Sequence, residues 1–331
     1  MVMQVWASLD EVPGDLKSVV TIGNFDGVHK GHQKIIRTCV NSARARNLQA
    51  VAITFYPHPV QVHHPERDLK LIASIEDRLD ALAALGLNAT LLLPYNRELY
   101  ELSAEEFVDR VLLGTLGMRE IIVGEDIRFG VDNSGDITTL RDLGTQRGYQ
   151  VQMVADIESP TGRRWSSSWV RELLTNGDVA GAAQVLGRPH RIRGIVQRGF
   201  KRGRELGFPT ANLRGDCGGV IPADGVYAGW LIRQVPGGRA EEFLPAAISV
   251  GTNPQFDGEE TTVEAHVLGR ADLDLYGEEV AITFIRRLRA MAKFDTLEQL
   301  LAQMDDDIRE AAAVLGVGVS GRVRAEDVTA Q

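Results

Sequence analysis

Short apolar runs alternate with longer segments of helical periodicity through the first part of the chain, up to about Gly187. The runs are continuously apolar and rich in β-branched residues, which is typical of strands buried on both faces. This alternation predicts an α/β domain with a parallel sheet, whose ligands bind at the carboxyl ends of the strands. The predicted strands are residues 19–22, 50–55, 90–94, 120–123 and 150–155, and the predicted helices are residues 33–47, 75–85, 104–113 and 138–147.

The pattern changes after Gly187-Arg188-Pro189, where short runs of alternating character are separated by Gly and Pro. This texture predicts a β-barrel or sandwich, followed by a C-terminal helix over residues 296–315. Because 331 residues exceed what one core usually organises, we predict two domains, residues 1–187 and 188–331. We expect the second domain to fold alone when the chain starts at about His190. Its predicted strands are residues 226–232, 246–250, 263–268 and 280–285.

Composition and charge disfavour several classes of protein. Hydrophobic residues make up 44% of the chain, the mean hydropathy is −0.10, and no apolar run reaches the length of a membrane span. The first residues lack a basic segment followed by an apolar one, so a cytoplasmic protein without a membrane partner is expected. A net charge of −9 disfavours a nucleic-acid binder. The two cysteines, Cys39 and Cys217, form no Cys-x-x-Cys pair, which argues against a disulfide scaffold or a thiolate metal site.

Segment 23–32 reads Gly-Asn-Phe-Asp-Gly-Val-His-Lys-Gly-His and lies where the first predicted strand ends and a helix begins. A helix N-terminus attracts anions through its free N–H groups and its positive dipole end. His29 and His32 are nearly one helical turn apart, so they project to the same side and can contact one triphosphate. Two donating imidazoles there would stabilise charge on an attacked α-phosphate and a departing pyrophosphate. The alternative is a pair of solvated histidines at a helix start.

Further segments of the first domain carry candidate ligand contacts. His58 follows the second predicted strand and Asp126 follows the fourth, so both lie on the ligand side of the sheet. Ser167 and Ser168 open a predicted helix, where hydroxyl groups either cap the helix or help to hold a phosphate. Arg171 lies one turn later and can clamp the same group. The three histidines between positions 58 and 64 raise the alternative of a metal site, which no carboxylate or thiolate spacing supports.

In the second domain, segment 199–212 combines a basic, Gly-rich loop with Thr210 and Asn212. In an extended segment this spacing sends both side chains to one face, where a hydroxyl and an amide oxygen suit Mg²⁺. The alternative is a turn-rich surface loop with scattered arginines. Farther along, Val263 and Ala265 suit a core, which turns Glu264 to the opposite face, where a carboxylate is normally solvated.

These segments together resemble the bacterial bifunctional riboflavin kinase/FAD synthetases. Residues 23–32 follow that family's pattern Gly-x-Phe-Asp-Gly-Val-His-x-Gly-His, and residues 54–59 follow Thr-Phe-x-Pro-His-Pro. Residues 203–212 follow the riboflavin kinase signature Gly-x-x-Leu-Gly-Phe-Pro-Thr-Ala-Asn. The resemblance extends from Val5 to about Leu315. It implies a Rossmann-like nucleotidyltransferase domain followed by a β-barrel riboflavin kinase domain with a C-terminal helix.

The resemblance implies two reactions, with ATP as co-substrate and FMN and FAD as products. The C-terminal domain would phosphorylate riboflavin to FMN with Mg²⁺ held by Thr210 and Asn212, and Glu264 would be the general base toward the 5′-hydroxyl. The N-terminal domain would adenylylate FMN to FAD, with His29 and His32 as the catalytic contacts to the ATP phosphates. The other contacts expected from the resemblance are Gly23, Phe25, Ser167, Ser168, Arg171, Gly199, Lys201 and Gly207 to ATP, and His58, Asp126 and Arg289 to the flavin.

Five positions depart from the family patterns. Ser168 replaces a Thr but keeps a hydroxyl, and Val170 replaces an Ile but keeps its shape, whereas Ile127 replaces an aromatic residue, Gln255 replaces a Thr, and Gly269 replaces an Asp. Because the last two lie in the kinase half, one alternative is a single-activity adenylyltransferase whose barrel only binds flavin. A non-catalytic flavin-sensing protein is the other alternative. The expected partners are riboflavin, FMN, FAD and ATP, and the sequence leaves a homo-oligomer open.

Overall fold

The chain folds as two compact units, Met1–Lys70 with Ile75–Ser166, and Leu71–Ser74 with Ser167–Gln331. The computed structural model describes residues 2–197, 209–213, 217–234, 241–253, 260–270 and 272–318. The second unit thus takes in the chain from Ser167 onward, whereas the sequence predicts a boundary at Gly187, and that boundary stays a prediction. Among the described residues, no helix is long and apolar enough to cross a membrane.

The first unit contains the parallel sheet that the apolar runs predict. Its strands are β1 (Gln4–Trp6), β2 (Ser18–Ile22), β3 (Gln49–Tyr56), β4 (Ala89–Pro94), β5 (Met118–Gly124) and β6 (Gln150–Val154). The strand order is β1-β4-β3-β2-β5-β6, and every pair is parallel. The chain runs from β2 outward to β3 and β4 and then crosses to β5 on the other side of β2. The topological switch point, where such sheets bind ligands, therefore lies at the carboxyl ends of β2 and β5.

Helices cover both faces of this sheet. The helix α1 (Lys30–Arg46) buries Ile36, Cys39, Val40 and Ala43 against one face. Apolar residues of the π-helical segment Phe107–Thr115 pack on the other face. The remaining helices of the unit are α2 (Pro59–His63), α3 (Ile75–Ala84), α4 (Arg97–Tyr100), α5 (Ala104–Glu106) and α6 (Ile137–Arg147).

The helix predicted over residues 104–113 takes a different form in the structure. One α-helical turn, α5, opens with a capping box between Ser103 and Glu106, and the chain then widens into the π-helical segment. At the end of that segment the Leu116 N–H donates to the Val111 carbonyl, five residues back, at 3.1 Å. The apolar residues Phe107, Val111 and Leu112 are all buried.

The second unit contains an antiparallel sheet that closes into the predicted barrel. Its strand order is β7-β12-β9-β10-β11-β8, and the Gln197 N–H just after β7 donates to the Asn212 carbonyl on β8 at 2.9 Å. This bridge joins the two edges of the sheet. The strands are β7 (His190–Ile195), β8 (Ala211–Leu213), β9 (Gly225–Gln234), β10 (Glu241–Asn253), β11 (Glu260–Val267) and β12 (Glu279–Arg289).

Among its described residues, the second unit has the helices α7 (Ser167–Thr175), α8 (Val179–Leu186) and α9 (Leu297–Leu315). The predicted C-terminal helix α9 packs Ile308, Ala311 and Ala312 against Ala228 and Ala247 of the barrel wall. Because helices cover the outside of this wall, both alternating faces of β9 are largely buried. A Cβ atom on Gly229 of β9 would lie 1.9 Å from the Thr283 carbonyl oxygen, so the close approach of β12 requires glycine there.

Candidate active sites

The loop between β2 and α1, residues 23–29, is pinned to the carboxyl end of β3. The Gly23 N–H donates to the Ile53 carbonyl at 3.1 Å, and the Thr54 hydroxyl donates to the Asn24 carbonyl at 3.1 Å. Phe25 and Val28 have φ angles of 46° and 44°. A positive φ is costly for a β-branched residue such as Val28, and strain of this kind concentrates at functional sites. We call residues 23–32 the signature loop.

His29 and His32 lie side by side at the start of α1, as the sequence predicts. Their rings stack with centroids 3.6 Å apart, and His29 is the N-cap of the helix. The His32 N–H donates to His29 Nδ1 in a long hydrogen bond of 3.4 Å. A Cβ atom on Gly31 would lie 3.0 Å from His29 Cε1, so a larger residue at position 31 would displace the His29 ring. The other ring contact of His32 is an edge contact with Phe25.

Both imidazoles are neutral near pH 7. Burial lowers the pKa of His29 to about 4, and the nearby Arg164 lowers it further than Asp126 raises it. Burial also lowers the pKa of His32 well below its ordinary value, with smaller contributions from His29, Arg78 and Arg164. Because Nδ1 of His29 accepts a hydrogen bond, its proton belongs on Nε2. The His29 ring therefore offers one N–H donor beside the N–H groups at the start of α1, an arrangement that favours an anion.

Asp126, on the loop after β5, forms an ion pair that the sequence does not reveal. Arg164 contacts Asp126 at 2.5 Å and Asp156 at 2.7 Å. The next residue, Trp165, lies 4.8 Å from the Lys30 ammonium in a cation–π contact. The sequence pattern does not predict the roles of Arg164 and Trp165, although both residues directly precede the serine run at residues 166–168. Charged residues thus gather at the switch point of the sheet.

His58 caps a helix of the first unit, whereas Ser167, Ser168 and Arg171 lie in a helix of the second unit. His58 is buried and is the N-cap of α2, where its Nδ1 accepts the Val60 N–H at 3.2 Å. Ser167 and Ser168 lie in the first turn of α7, and Arg171 lies one turn later. That helix belongs to the second compact unit. The predicted contacts of these four residues to flavin or ATP stay predictions.

In the second unit, Thr210, Asn212 and Glu264 come together. Asn212 on β8 pairs directly with Glu264 on β11. The Thr210 hydroxyl donates weakly to Glu264 Oε2 at 3.5 Å, and Asn212 Nδ2 donates to the Thr210 hydroxyl at 3.2 Å and to its carbonyl at 3.0 Å. Two predicted metal ligands and the predicted base therefore share one surface of the barrel. Since both described Asn212 hydrogen bonds use Nδ2, its Oδ1 remains an acceptor.

Glu264 is half-buried, so it differs from an ordinary solvated strand carboxylate. Burial raises the pKa of Glu264 above 4.5, more than the Thr210 hydroxyl lowers it. Val263 and Ala265 point into the core, as the alternation predicts. His266, on the same face as Glu264, is also buried, and its Nδ1 contacts the Pro209 carbonyl at 2.9 Å. His266 therefore anchors the segment that presents Thr210, a role that the sequence analysis missed.

Arg289 directs its guanidinium toward the terminal helix. Its Nε and Nη2 donate to the two carboxylate oxygens of Asp307 on α9 at 2.8 and 2.7 Å. Gln303 also donates to Asp307, at 3.1 Å. This partly buried, bidentate pair ties α9 to the end of β12. A contact between Arg289 and the flavin stays a prediction. The predicted ATP contacts Gly199, Lys201 and Gly207 lie outside the described residues, as does Gln255.

Both units are similar to known proteins. The family model described as FAD synthetase matches residues 13–168, and the one described as riboflavin kinase matches residues 186–315. The bifunctional riboflavin kinase/FMN adenylyltransferase of Escherichia coli K12 is 33% identical over 90% of this chain and 93% of its own. The protein of that description from Bacillus subtilis is 33% identical over 89% of this chain and 92% of its own.

One solved structure matches nearly the whole chain. It is described as a macrolide-efflux protein from Streptococcus pneumoniae, and it covers 94% of this chain and 99% of its own. The TM-score is 0.82 and the identity is 31%. The fold is therefore shared over most of the chain, although the printed description of that protein differs from those of the curated relatives.

Proposed function

Since the chain belongs to the family of bifunctional riboflavin kinase/FMN adenylyltransferases, we propose that each unit catalyses one of the two reactions at the site described in it. The enzyme phosphorylates riboflavin with ATP to give FMN and ADP, and it adenylylates FMN with a second ATP to give FAD and pyrophosphate. The observation that carries the proposal is the presence of two separate constellations, the stacked histidines and the Thr210, Asn212 and Glu264 cluster.

For FMN adenylylation, the histidine pair binds the ATP phosphates. A phosphate oxygen of FMN attacks the α-phosphorus of ATP, and the bond from that phosphorus to the bridging oxygen of pyrophosphate breaks. Negative charge then develops on the α-phosphate and on the leaving pyrophosphate. His29 and His32 donate hydrogen bonds there as neutral rings, and the N-terminus of α1 adds its free N–H groups. Because both pKa values are lowered, each ring acts as a neutral N–H donor and brings no positive charge of its own.

For riboflavin phosphorylation, Glu264 accepts the proton of the 5′-hydroxyl as that oxygen attacks the γ-phosphorus of ATP, and the bond from that phosphorus to the bridging oxygen breaks to release ADP. Its raised pKa makes it a stronger base than a solvated carboxylate. Thr210 and Asn212 fit Mg²⁺, since a hydroxyl oxygen and the amide oxygen of Asn212 are both hard ligands. When bound, Mg²⁺ would neutralise negative charge on the phosphates of ATP. No group of three or more His, Cys, Asp or Glu side chains among the described residues forms a metal site.

Product analysis tests this function directly. The purified chain is incubated with riboflavin, ATP and Mg²⁺, and the flavins are separated over time. We expect FMN to appear first and FAD to follow. A single-activity adenylyltransferase makes FAD only from supplied FMN, and a flavin-sensing protein makes neither product. We also propose that the protein acts in the cytoplasm. A homo-oligomer stays a separate proposal, which light scattering of the purified protein tests.

The extent of the second unit defines a fragment experiment. That a fragment from about His190 folds and acts as a kinase stays a prediction. Because α7 and α8 belong to the second unit, we add a longer fragment that starts at Ser167. We expect residues 167–331 to make FMN and to melt at a higher temperature than residues 190–331. The reason is that Val185 and Leu186 of α8 are fully buried, and each such side chain contributes roughly 1.5–3 kcal/mol.

Both fragments are compared by thermal unfolding and by FMN formation. A folded 167–331 fragment that makes no FMN would contradict the independence of the kinase unit. Equal melting temperatures would show that α7 and α8 contribute nothing to the stability of the barrel.

A further inference from the structure

Arg78 on α3 is an arginine with no exposed surface. Its Nη1 donates to the Phe55 carbonyl at 3.3 Å and reaches the Thr54 hydroxyl at 3.5 Å. Its Nε and Nη2 are buried and have no hydrogen-bond partner among the described residues. Burying a charge and leaving two N–H groups unsatisfied both cost free energy, so retention of this residue calls for an explanation outside packing.

The position of Arg78 supplies that explanation. Thr54 and Phe55 end β3, and the same Thr54 hydroxyl donates to the Asn24 carbonyl of the signature loop. The helix α3 also packs against the turn Asp26–Val28 within that loop. Arg78 is therefore fixed beneath the loop that carries His29 and His32. Its charge acts there, because Arg78 lowers the pKa of His32; burial lowers the pKa of Arg78 itself, and buried Asp26 partly offsets that shift.

The site needs a positive charge that the histidines do not provide. His29 and His32 are neutral, whereas the triphosphate of ATP is strongly anionic. Arg164, the other arginine that lowers the pKa of His32, is already paired with Asp126 and Asp156. Arg78 has no ion pair at comparable distance among the described residues, and its buried charge is poorly screened by solvent.

We propose that Arg78 is a positioning residue for FMN adenylylation, whose buried positive charge beneath the signature loop strengthens the binding of the ATP polyphosphate. The proposal rests on the function proposed above. Because Arg78 has no exposed surface, its charge acts on ATP through the signature loop, and it stabilises bound ATP and the transition state equally. Loss of its charge should therefore raise KM for ATP and leave kcat nearly unchanged, the opposite of what the loss of a transition-state donor does.

The test compares Arg78→Gln, which keeps N–H donors without the charge, with Arg78→Lys, which keeps the charge. The control is Arg46→Gln, at the far end of α1, where the arginine pairs with Glu120. We expect Arg78→Gln to raise KM for ATP about tenfold in FMN adenylylation, with kcat within about threefold of the parent. Arg78→Lys and Arg46→Gln should both keep the parental KM. Each variant should still make FMN from riboflavin, which reports on the other unit.

Several outcomes would overturn the proposal. Equal KM values for ATP in Arg78→Gln and Arg78→Lys would remove the role of the charge. A KM for ATP that rises among the variants only in proportion to a lowered melting temperature would also exclude a role for the charge. If Arg78→Gln does not fold, Arg78→Lys decides: a parental KM supports the proposal, and a rise of about tenfold at the parental melting temperature overturns it. A parent protein that makes no FAD from FMN would instead refute the proposed function itself.

Discussion

His29→Ala and His32→Ala should each lower FAD formation from FMN by roughly 10²–10³ while FMN formation from riboflavin stays nearly intact. Each substitution removes a preorganised, neutral donor from the place where the α-phosphate and pyrophosphate gain charge. The two rings stack at 3.6 Å, so the loss of one also removes the packing partner of the other. The measurement is the rate of each half-reaction on the same purified variant, with supplied FMN for the second one.

The helix-capping role of His29 needs a control of its own. His29→Ala removes the N-cap of α1, which costs roughly 0.5–2 kcal/mol of stability. His29→Asn restores a capping side chain without the imidazole, so it should recover the melting temperature but not FAD formation. His64→Ala is the matched surface control, because His64 is exposed and contacts only exposed Glu66 among the described ion pairs. Equal loss of both activities in His29→Ala would show that this histidine holds the fold.

Much of the fold follows from periodicity alone. The continuous apolar runs at β2 to β5 are largely buried on both faces, and this property allows a parallel sheet to be predicted from the sequence, whereas the edge strand β6 is mostly exposed. The three-residue edge strand β1 was missed, because a segment that short has no measurable period. The π-helical segment after α5 was read as an α-helix, since both forms place Phe107 and Val111 on a buried side.

The extent of each compact unit is harder to predict from the sequence than its strands are. The helices α7 and α8 continue the helical texture of the first half, yet they are part of the second compact unit. An amphipathic pattern predicts that a helix buries one face, but it does not predict the core against which that face packs. The apolar side chains of Val170 and Leu174 could pack equally well against either of the two sheets. Only the folded chain reveals that the Ala223 N–H donates to the Leu174 carbonyl at 3.0 Å.

The candidate sites divide in the same way. The proximity of His29 to His32, and of Thr210 to Asn212, follows from helical and extended spacing. The neutral state of the histidines and the roles of Arg78 and His266 depend on burial and on partners distant in sequence. A lone arginine inside a helix pattern resembles any solvated surface residue, so nothing in the sequence distinguishes Arg78 from Arg46.

Glu264→Gln should have the largest effect on the kinase, slowing FMN formation by roughly 10²–10⁴, the usual contribution of a positioned base. The amide keeps the shape of the side chain on β11, so the pairing with Asn212 on β8 persists. Affinities for riboflavin and ATP should change little, because the lost interaction belongs to the transition state. Conversion of supplied FMN to FAD should be unaffected, since that site lies in the first unit. Glu310→Gln, at an exposed carboxylate on α9, is the matched control and should keep the parental rate.

The pH dependence of FMN formation gives a second, independent readout of Glu264. A base acts only when it is ionised, so the rate should fall as the pH drops through the pKa of Glu264. Because burial raises that pKa, the acid limb should lie above pH 4.5, the ordinary value for a glutamate. Glu264→Gln has no carboxylate to protonate at this position, so its residual activity should lack this limb. A variant that still makes FMN at near the parental rate, with the same acid limb, would exclude Glu264 as the base and leave its half-buried carboxylate with a structural role beside Thr210.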